Sequence, residues 1–194
     1  MARHGDVRQK ILDAAEQRLW HYGFKKTTID EIASDAGVGK GTVYLYFDGK
    51  EEIGLAIVAE YKKRNLKELE IIAQNTQKSP VEKLTEMLQY SVLRAYQSCQ
   101  EAPAMQEMIV AIKPHIRIHL QPQMEQEYRL LASILEEGNK QGIFDVPDTL
   151  SAARTLKMMT HGFLPPYPSV SQPEQMASEI ADMVALTVRG LRKQ

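Results

Sequence analysis

The sequence predicts an all-α protein, and three observations carry that prediction. Polar residues followed three positions later by Glu or Gln recur ahead of apolar-periodic stretches, the pattern by which a side chain and a backbone N–H satisfy each other at a helix start. Glycines stand where those stretches end, supplying the left-handed residue that closes a helix. No segment shows the strict apolar and polar alternation of a half-buried strand.

The starts are Asp6 with Gln9, Thr28 with Glu31, Asp48 with Glu51, Ser79 with Glu82 and Ser171 with Glu174. Pro80 suits a first helical position, where its missing N–H costs nothing, and Asp148 after Pro147 marks one more start. The stops are Gly23, Gly37 and Gly142. The spacing predicts helices near 6–22, 28–36, 40–47, 49–75, 80–98, 102–113, 121–141, 148–163 and 173–192. The prolines in Leu164-Pro165-Pro166-Tyr167-Pro168-Ser169 remove donors and fix φ, so a loop is expected between the last two helices. Short helices crowd into the first 47 residues and longer ones follow, which predicts a compact head over 1–48 and a larger helical body over 49–194.

Composition narrows the function classes. Among 194 residues, 43% hydrophobic and 25% charged describe an ordinary globular protein, not a disordered or disulfide-stapled one. Lys plus Arg is 24 against 25 Asp plus Glu, a net charge of −1, so any anionic partner must be met by a local patch. No apolar run approaches the roughly 20 residues of a spanning helix. The N-terminus runs straight into charged helical sequence, so a cytoplasmic protein without a membrane partner is expected. Cys99 is the only cysteine, which excludes an internal disulfide; it reads as a small buried hydrophobe.

The head has the pattern of a helix-turn-helix. Ile29, Ile32, Ala33 and Ala36 keep helical spacing, and Ala33 lets another helix approach closely. Gly37 permits the positive φ of a tight turn and Val38 fills the corner. Val43 and Phe47 then form the inward i, i+4 pair of the second helix. At 100° per residue the outward face of that helix centres on Gly41 and Leu45, flanked by Thr42, Tyr44 and Tyr46. This is the face a major groove would receive. Gly41 lets the backbone close on a duplex, Thr42 can hydrogen-bond a base edge or phosphate, and Leu45 can lie against a thymine methyl. Lys40, Tyr44, Tyr46 and Lys50 suit phosphate oxygens, and Thr28 can present a helix N-terminus to another. Residues 1–50 hold 8 basic and 7 acidic side chains, so the pattern, not the charge, carries this assignment.

The stretch Ile11-Leu12-Asp13-Ala14-Ala15, Gly23-Phe24, Thr27 to Ala33, Ala36 to Phe47 and Lys50-Glu51-Glu52 closely resembles the tetracycline-repressor (TetR) family. The resemblance covers about a quarter of the chain. It implies a homodimeric, ligand-responsive transcription regulator, usually a repressor, with an all-α C-terminal body of variable sequence. Thr28, Lys40, Gly41, Thr42, Tyr44, Tyr46 and Lys50 fall where members touch DNA. One position departs: many members carry a polar residue or His between the two tyrosines, where this chain has Leu45, which favours an apolar base contact.

In the body, specificity on DNA calls for two copies about one helical turn, roughly 34 Å, apart, so a homodimer on a palindromic duplex operator is expected. Leu150, Ala153, Leu156, Thr160 and Phe163 form one stripe, and Ala177, Ile180, Val184, Thr187 and Leu191 another. The resemblance implies that these last two helices pair with their symmetry mates. The helix near 49–75 places Ile53, Ile57, Tyr61, Leu66, Leu69 and Ile72 along its length and could link head to body. An apolar effector pocket is expected from Met87, Tyr90, Met105, Met108, Tyr128, Met159 and Phe163, with Arg94 and His161 among the polar groups to orient the ligand. No cofactor is called for. His115 and His119 stand at the i, i+4 spacing of metal ligands but lack a completing carboxylate. There is no phosphate-cradling loop, nucleophile elbow or paired-carboxylate motif of an enzyme. The alternative is a helical ligand-binding or enzymatic module with a vestigial head.

Overall fold

The computed structural model describes residues 3–101, 103–163 and 172–191, and among them the regular secondary structure is helical. The helices are α1 (Arg3–Tyr22), α2 (Ile29–Asp35), α3 (Lys40–Tyr44), α4 (Lys50–Gln74), α5 (Pro80–Glu101), α6 (Pro103–His119), α7 (Gln121–Lys140), α8 (Thr149–Met159) and α9 (Pro173–Leu191). A 3-10 turn, Thr160–Phe163, prolongs α8. The 164–169 loop and the Ser171 cap lie outside the described residues. No helix among the described residues is long and apolar enough to cross a membrane.

Most helix boundaries follow from caps. Thr28 Oγ1 accepts the Glu31 N–H at 3.3 Å while the Thr28 N–H and hydroxyl donate to Glu31 Oε2 at 2.9 and 2.8 Å. Ser79 and Glu82 repeat this arrangement, and Asp148 accepts the Ser151 N–H at 2.9 Å. Gly37 closes α2 with φ +67°, in the left-handed region where a Cβ would be strained. Two expected starts move. Helix α1 begins at Arg3, so Asp6 lies inside its first turn and pairs with Lys10 at 3.3 Å instead of capping. At α4 it is Glu52, not Glu51, that accepts the Asp48 N–H, because the helix begins one residue later than expected.

Two stretches end elsewhere than the periodicity suggests. Helix α3 stops at Tyr44 with Leu45 as its C-cap, so Phe47 reaches the core from the turn that follows. Helix α6 continues through Pro114 to His119.

The chain forms two compact units. The first joins 1–62 to 98–121, and the second joins 63–97 to 122–194, with the boundaries inside α4, inside α5 and at the start of α7. In the first unit, α1 packs on α2, α2 on α3, and α1 on α6. Its core unites Ile11, Leu19, Ile32, Val43, Phe47, Ile53 and Ile57 with Met108, Ile112 and Leu120. Helix α6 approaches α4 at Gly54, where a Cβ would stand 3.2 Å from both Met108 and Ile112 side chains. The core of the second unit gathers Leu66, Leu69, Leu84, Met87, Leu88, Leu131, Leu135, Leu156, Ile180 and Val184.

Candidate nucleic-acid interface

The outward face of α3 is built by exclusion. Val43 is fully buried and Phe47 is 2% exposed, and these two anchors leave Leu45 pointing away at 81% exposure. Lys40, Gly41 and Tyr44 are exposed and Thr42 and Tyr46 half-buried, so these expected groove residues share one accessible end of the first unit. Burying Leu45 against a duplex would recover on the order of 2 kcal/mol from a side chain that solvent now meets almost in full.

The basic side chains are already engaged. Lys40 Nζ donates to Asp30 Oδ2 at 2.8 Å, and that hydrogen bond with its charge holds the Lys40 pKa above the usual range. The pair is exposed, 52% and 63% at the two side chains, so water and salt weaken it and a phosphate can take the place of Asp30. Lys50 is held more firmly. Its Nζ donates to the backbone oxygens of Phe24 at 2.5 Å and Thr27 at 2.9 Å and lies 4.5 Å from the centre of the Phe24 ring. The Lys50 ammonium therefore turns inward to the α1–α2 turn, and not outward to a phosphate as the sequence suggested.

Arg18 is a part of the head that the sequence reading missed. It reaches Glu31 and Asp35, each at 3.2 Å, and its guanidinium lies 5.0 Å from the centre of the Tyr22 ring. The signal was two carboxylates one turn apart on α2, which call for a cation from the helix that braces it. Glu31 is also the capping residue of α2. Its pKa is held below the ordinary carboxylate range, first by the Thr28 hydroxyl, then by the Thr28 N–H, with Arg18 adding attraction.

The residues expected to form an effector pocket fall into different places. Met87 is fully buried in the second unit, with Tyr90 and Phe163 packed against that core. Tyr128 is half-buried, with the Arg154 guanidinium 5.9 Å from its ring centre. Arg94 Nη1 reaches Gln97 Oε1 at 3.4 Å. Met108 belongs instead to the core of the first unit, because α6 turns it against Gly54. Met159 is 43% exposed, and His161 is exposed on the 3-10 turn. The side chains of Met105 and Cys99 lie outside the described ones. A buried charged pair joins α7 and α8 in the second unit. Glu127 is buried in α7, where it pairs with Lys157 of α8 and accepts from the Ser91 hydroxyl of α5 at 3.1 Å.

The expected dimer stripes need the same correction. Ala153, Thr160 and Ile180 are fully buried within the single chain, and Leu156 and Val184 nearly so. They fill the chain's own core and leave no area for a partner. Leu150, Ala177 and Thr187 are half-buried, and the Leu191 side chain lies outside the described ones. The large apolar side chains that α8 and α9 present among the described ones are Met158 at 67%, Met159 at 43% and Leu186 at 68% exposure. His115 and His119 are exposed on a continuous α6 with ring centres 6.3 Å apart, and no group of three metal donors exists among the described residues.

Comparison with known proteins bears on the head first. The family model "Bacterial regulatory proteins, tetR family" matches residues 11–57. An HTH-type transcriptional regulator from the lacX 3' region of Lactococcus lactis is 35% identical over 85 residues, 44% of this chain and 43% of its own length. The match thus spans less than half of that relative. Solved structures cover nearly the whole chain. A TetR/AcrR-family regulator from Thermobifida fusca aligns with TM-score 0.72 at 20% identity, covering 97% of this chain and 100% of that one. FadR from Bacillus subtilis, solved with stearoyl-CoA, aligns with TM-score 0.63 at 20% identity over 95% and 99% of the two chains. The two solved structures are of transcriptional regulators, and they share this fold.

Proposed function

Residues 11–57 match the model of the tetR family of bacterial regulatory proteins, and from that likeness we propose that the chain is a ligand-responsive repressor acting as a homodimer on a palindromic operator. The observation that carries this reading is the outward face of α3: Val43 and Phe47 buried, Leu45 at 81% exposure between two tyrosines. In the proposed complex Leu45 meets a thymine methyl, Thr42 a base edge or phosphate, and Gly41 allows the backbone to approach. Tyr44, Tyr46, Lys40 and the α2 N-terminus at Thr28 meet phosphates, with Lys40 exchanging Asp30 for one of them.

A second copy covers the exposed apolar face of α8 and α9 around Met158, Met159 and Leu186, which sets two α3 helices in successive grooves. The effector is a small molecule with an apolar part, and FadR of Bacillus subtilis, of the same fold, is solved with stearoyl-CoA. It enters the second unit near Met87, Tyr90 and Phe163, with the buried Glu127 and Lys157 pair as the polar counterpart. By binding one of two states of the dimer better, it lowers affinity for DNA. The functional boundary is placed at residue 48, where the groove-facing elements end.

Selection of binding sites from random duplex DNA, followed by affinity measurements at several salt concentrations, tests the reading. An enriched inverted repeat with half-sites about 10 base pairs apart is expected. Weak salt-sensitive binding without enrichment would overturn it in favour of a body that works without the head.

A further inference from the structure

We propose that Lys50 is a positioning residue for DNA binding: it fixes the entrance of α2 by clamping the α1–α2 turn, and it makes no phosphate contact of its own. This rests on the operator reading above.

A lysine at the first position of a helix meets the positive end of the helix dipole, an unfavourable place unless something else holds the charge. Glu51 and Glu52 in the same turn offset part of that cost. The rest is met 23 and 26 residues earlier in the chain. Two of the three ammonium donors go to the Thr27 and Phe24 carbonyl oxygens, and the Phe24 ring faces the charge at 4.5 Å. The ring itself is 4% exposed and belongs to the first core, so the clamp is anchored in a packed element.

The clamped turn is the one that delivers Thr28. Thr27 is 1% exposed and its hydroxyl donates to the Gly23 oxygen at 2.8 Å, so the turn is tied at its start by Thr27 and along its length by Lys50. The next residue is the N-cap of α2, whose free N–H groups are the proposed phosphate contact. The position of that contact is thus referred directly to the first residue of α4.

Affinity for the selected operator at several salt concentrations tests this, using Lys50→Met, Lys50→Gln, Thr28→Ala and the Lys50→Met, Thr28→Ala double variant, each at a temperature where circular dichroism shows it folded. Positioning predicts about tenfold weaker binding by Lys50→Met and a salt slope equal to that of the native chain. It also predicts partial recovery in Lys50→Gln, which keeps donors without charge. The double variant should lose much less than the product of the single losses, because both act on one contact. Amide exchange across Phe24–Thr28 should rise in Lys50→Met without DNA. A salt slope shallower by about one unit in either Lys50 variant would show a direct phosphate contact and overturn the proposal. So would unchanged affinity, or losses that multiply independently. If the native chain selects no operator, the operator reading fails, whereas an exchange rate that does not rise sinks the clamp itself. Should Lys50→Met not fold, the slope measured with Lys50→Gln decides.

Discussion

The head and the body use the same kind of helix but leave different things in view. In the head, α1, α2 and α3 share one core with α4 and α6, and once Val43 and Phe47 are placed inside, geometry leaves Leu45 and its neighbours outside. In the body, α8 and α9 carry apolar residues on more than one side. Ala153, Leu156, Ile180 and Val184 go inward while Met158 and Leu186 remain out. A single apolar stripe can be assigned from spacing alone, whereas two stripes on one helix must be divided between the chain's own core and a partner.

The largest expected effect is on the head alone. Lys40→Ala with Thr42→Ala should weaken operator binding by at least about 100-fold, read by mobility shift or fluorescence anisotropy. Melting temperature and oligomeric state should stay as they were. Undiminished binding would remove the functional meaning of the exposed face.

A second pair of variants tests the division within the body. Met158→Glu with Leu186→Glu should shift the proposed dimer to monomer in sedimentation, weakening self-association by about tenfold or more, while helix content is kept. Val184→Glu, by contrast, should unfold the body, since it buries an unpaired charge. If the exposed pair leaves the dimer intact, the partner covers another face.

Gly138→Ala should separate the stability of the two regions. A Cβ there would stand 2.0 Å from a ring atom of Phe144, which is 3% exposed and confined. A loss of about 2 kcal/mol is expected in denaturant unfolding, with operator binding retained at low temperature. An equal loss of both would mean that the head depends on body packing.

The smallest effect concerns pH. The Glu31 pKa lies below the ordinary carboxylate range in the folded head, so its cap contributes fully above that range and is lost as pH falls through the lowered value. Glu82, held down first by the Ser79 hydroxyl and then by its N–H, does the same for α5 in the body. Amide exchange at the first turns of α2 and α5, expressed relative to the intrinsic rate at each pH, should therefore rise together on acidification. Glu31→Gln should raise it at α2 alone at neutral pH.

The helices were legible because caps and stops are local chemistry. Thr28 with Glu31, Ser79 with Glu82, Asp148 and Gly37 each act within a few residues. The inward and outward residues around α3 were legible for a related reason, since Val43 and Phe47 lie four residues apart, although Phe47 comes from the turn after the helix. What stayed hidden depends on distant partners. Nothing within reach of Lys50 in the sequence points to carbonyls at Phe24 and Thr27. Met108 reads as a pocket thioether until Gly54 is seen to receive it. Pro114 looks like a terminus until α6 is seen to run through it.

The core of the first unit closes with Met108, Ile112 and Leu120, contributed by α6 and the residue after it, encoded long after the segment proposed to face DNA. On the ribosome, the reading end is made first but completed late, because its last core residues must emerge before it can pack. Its folding is governed by contacts far apart along the chain, which slows it relative to a self-contained three-helix unit. The same arrangement bears on inheritance: a recombination that transfers only the first 62 residues hands over the recognition surface without the helix that finishes its interior. Exchange of DNA specificity between such regulators is then easiest by changing residues on the surface of α3, and hardest by moving the head as a cassette.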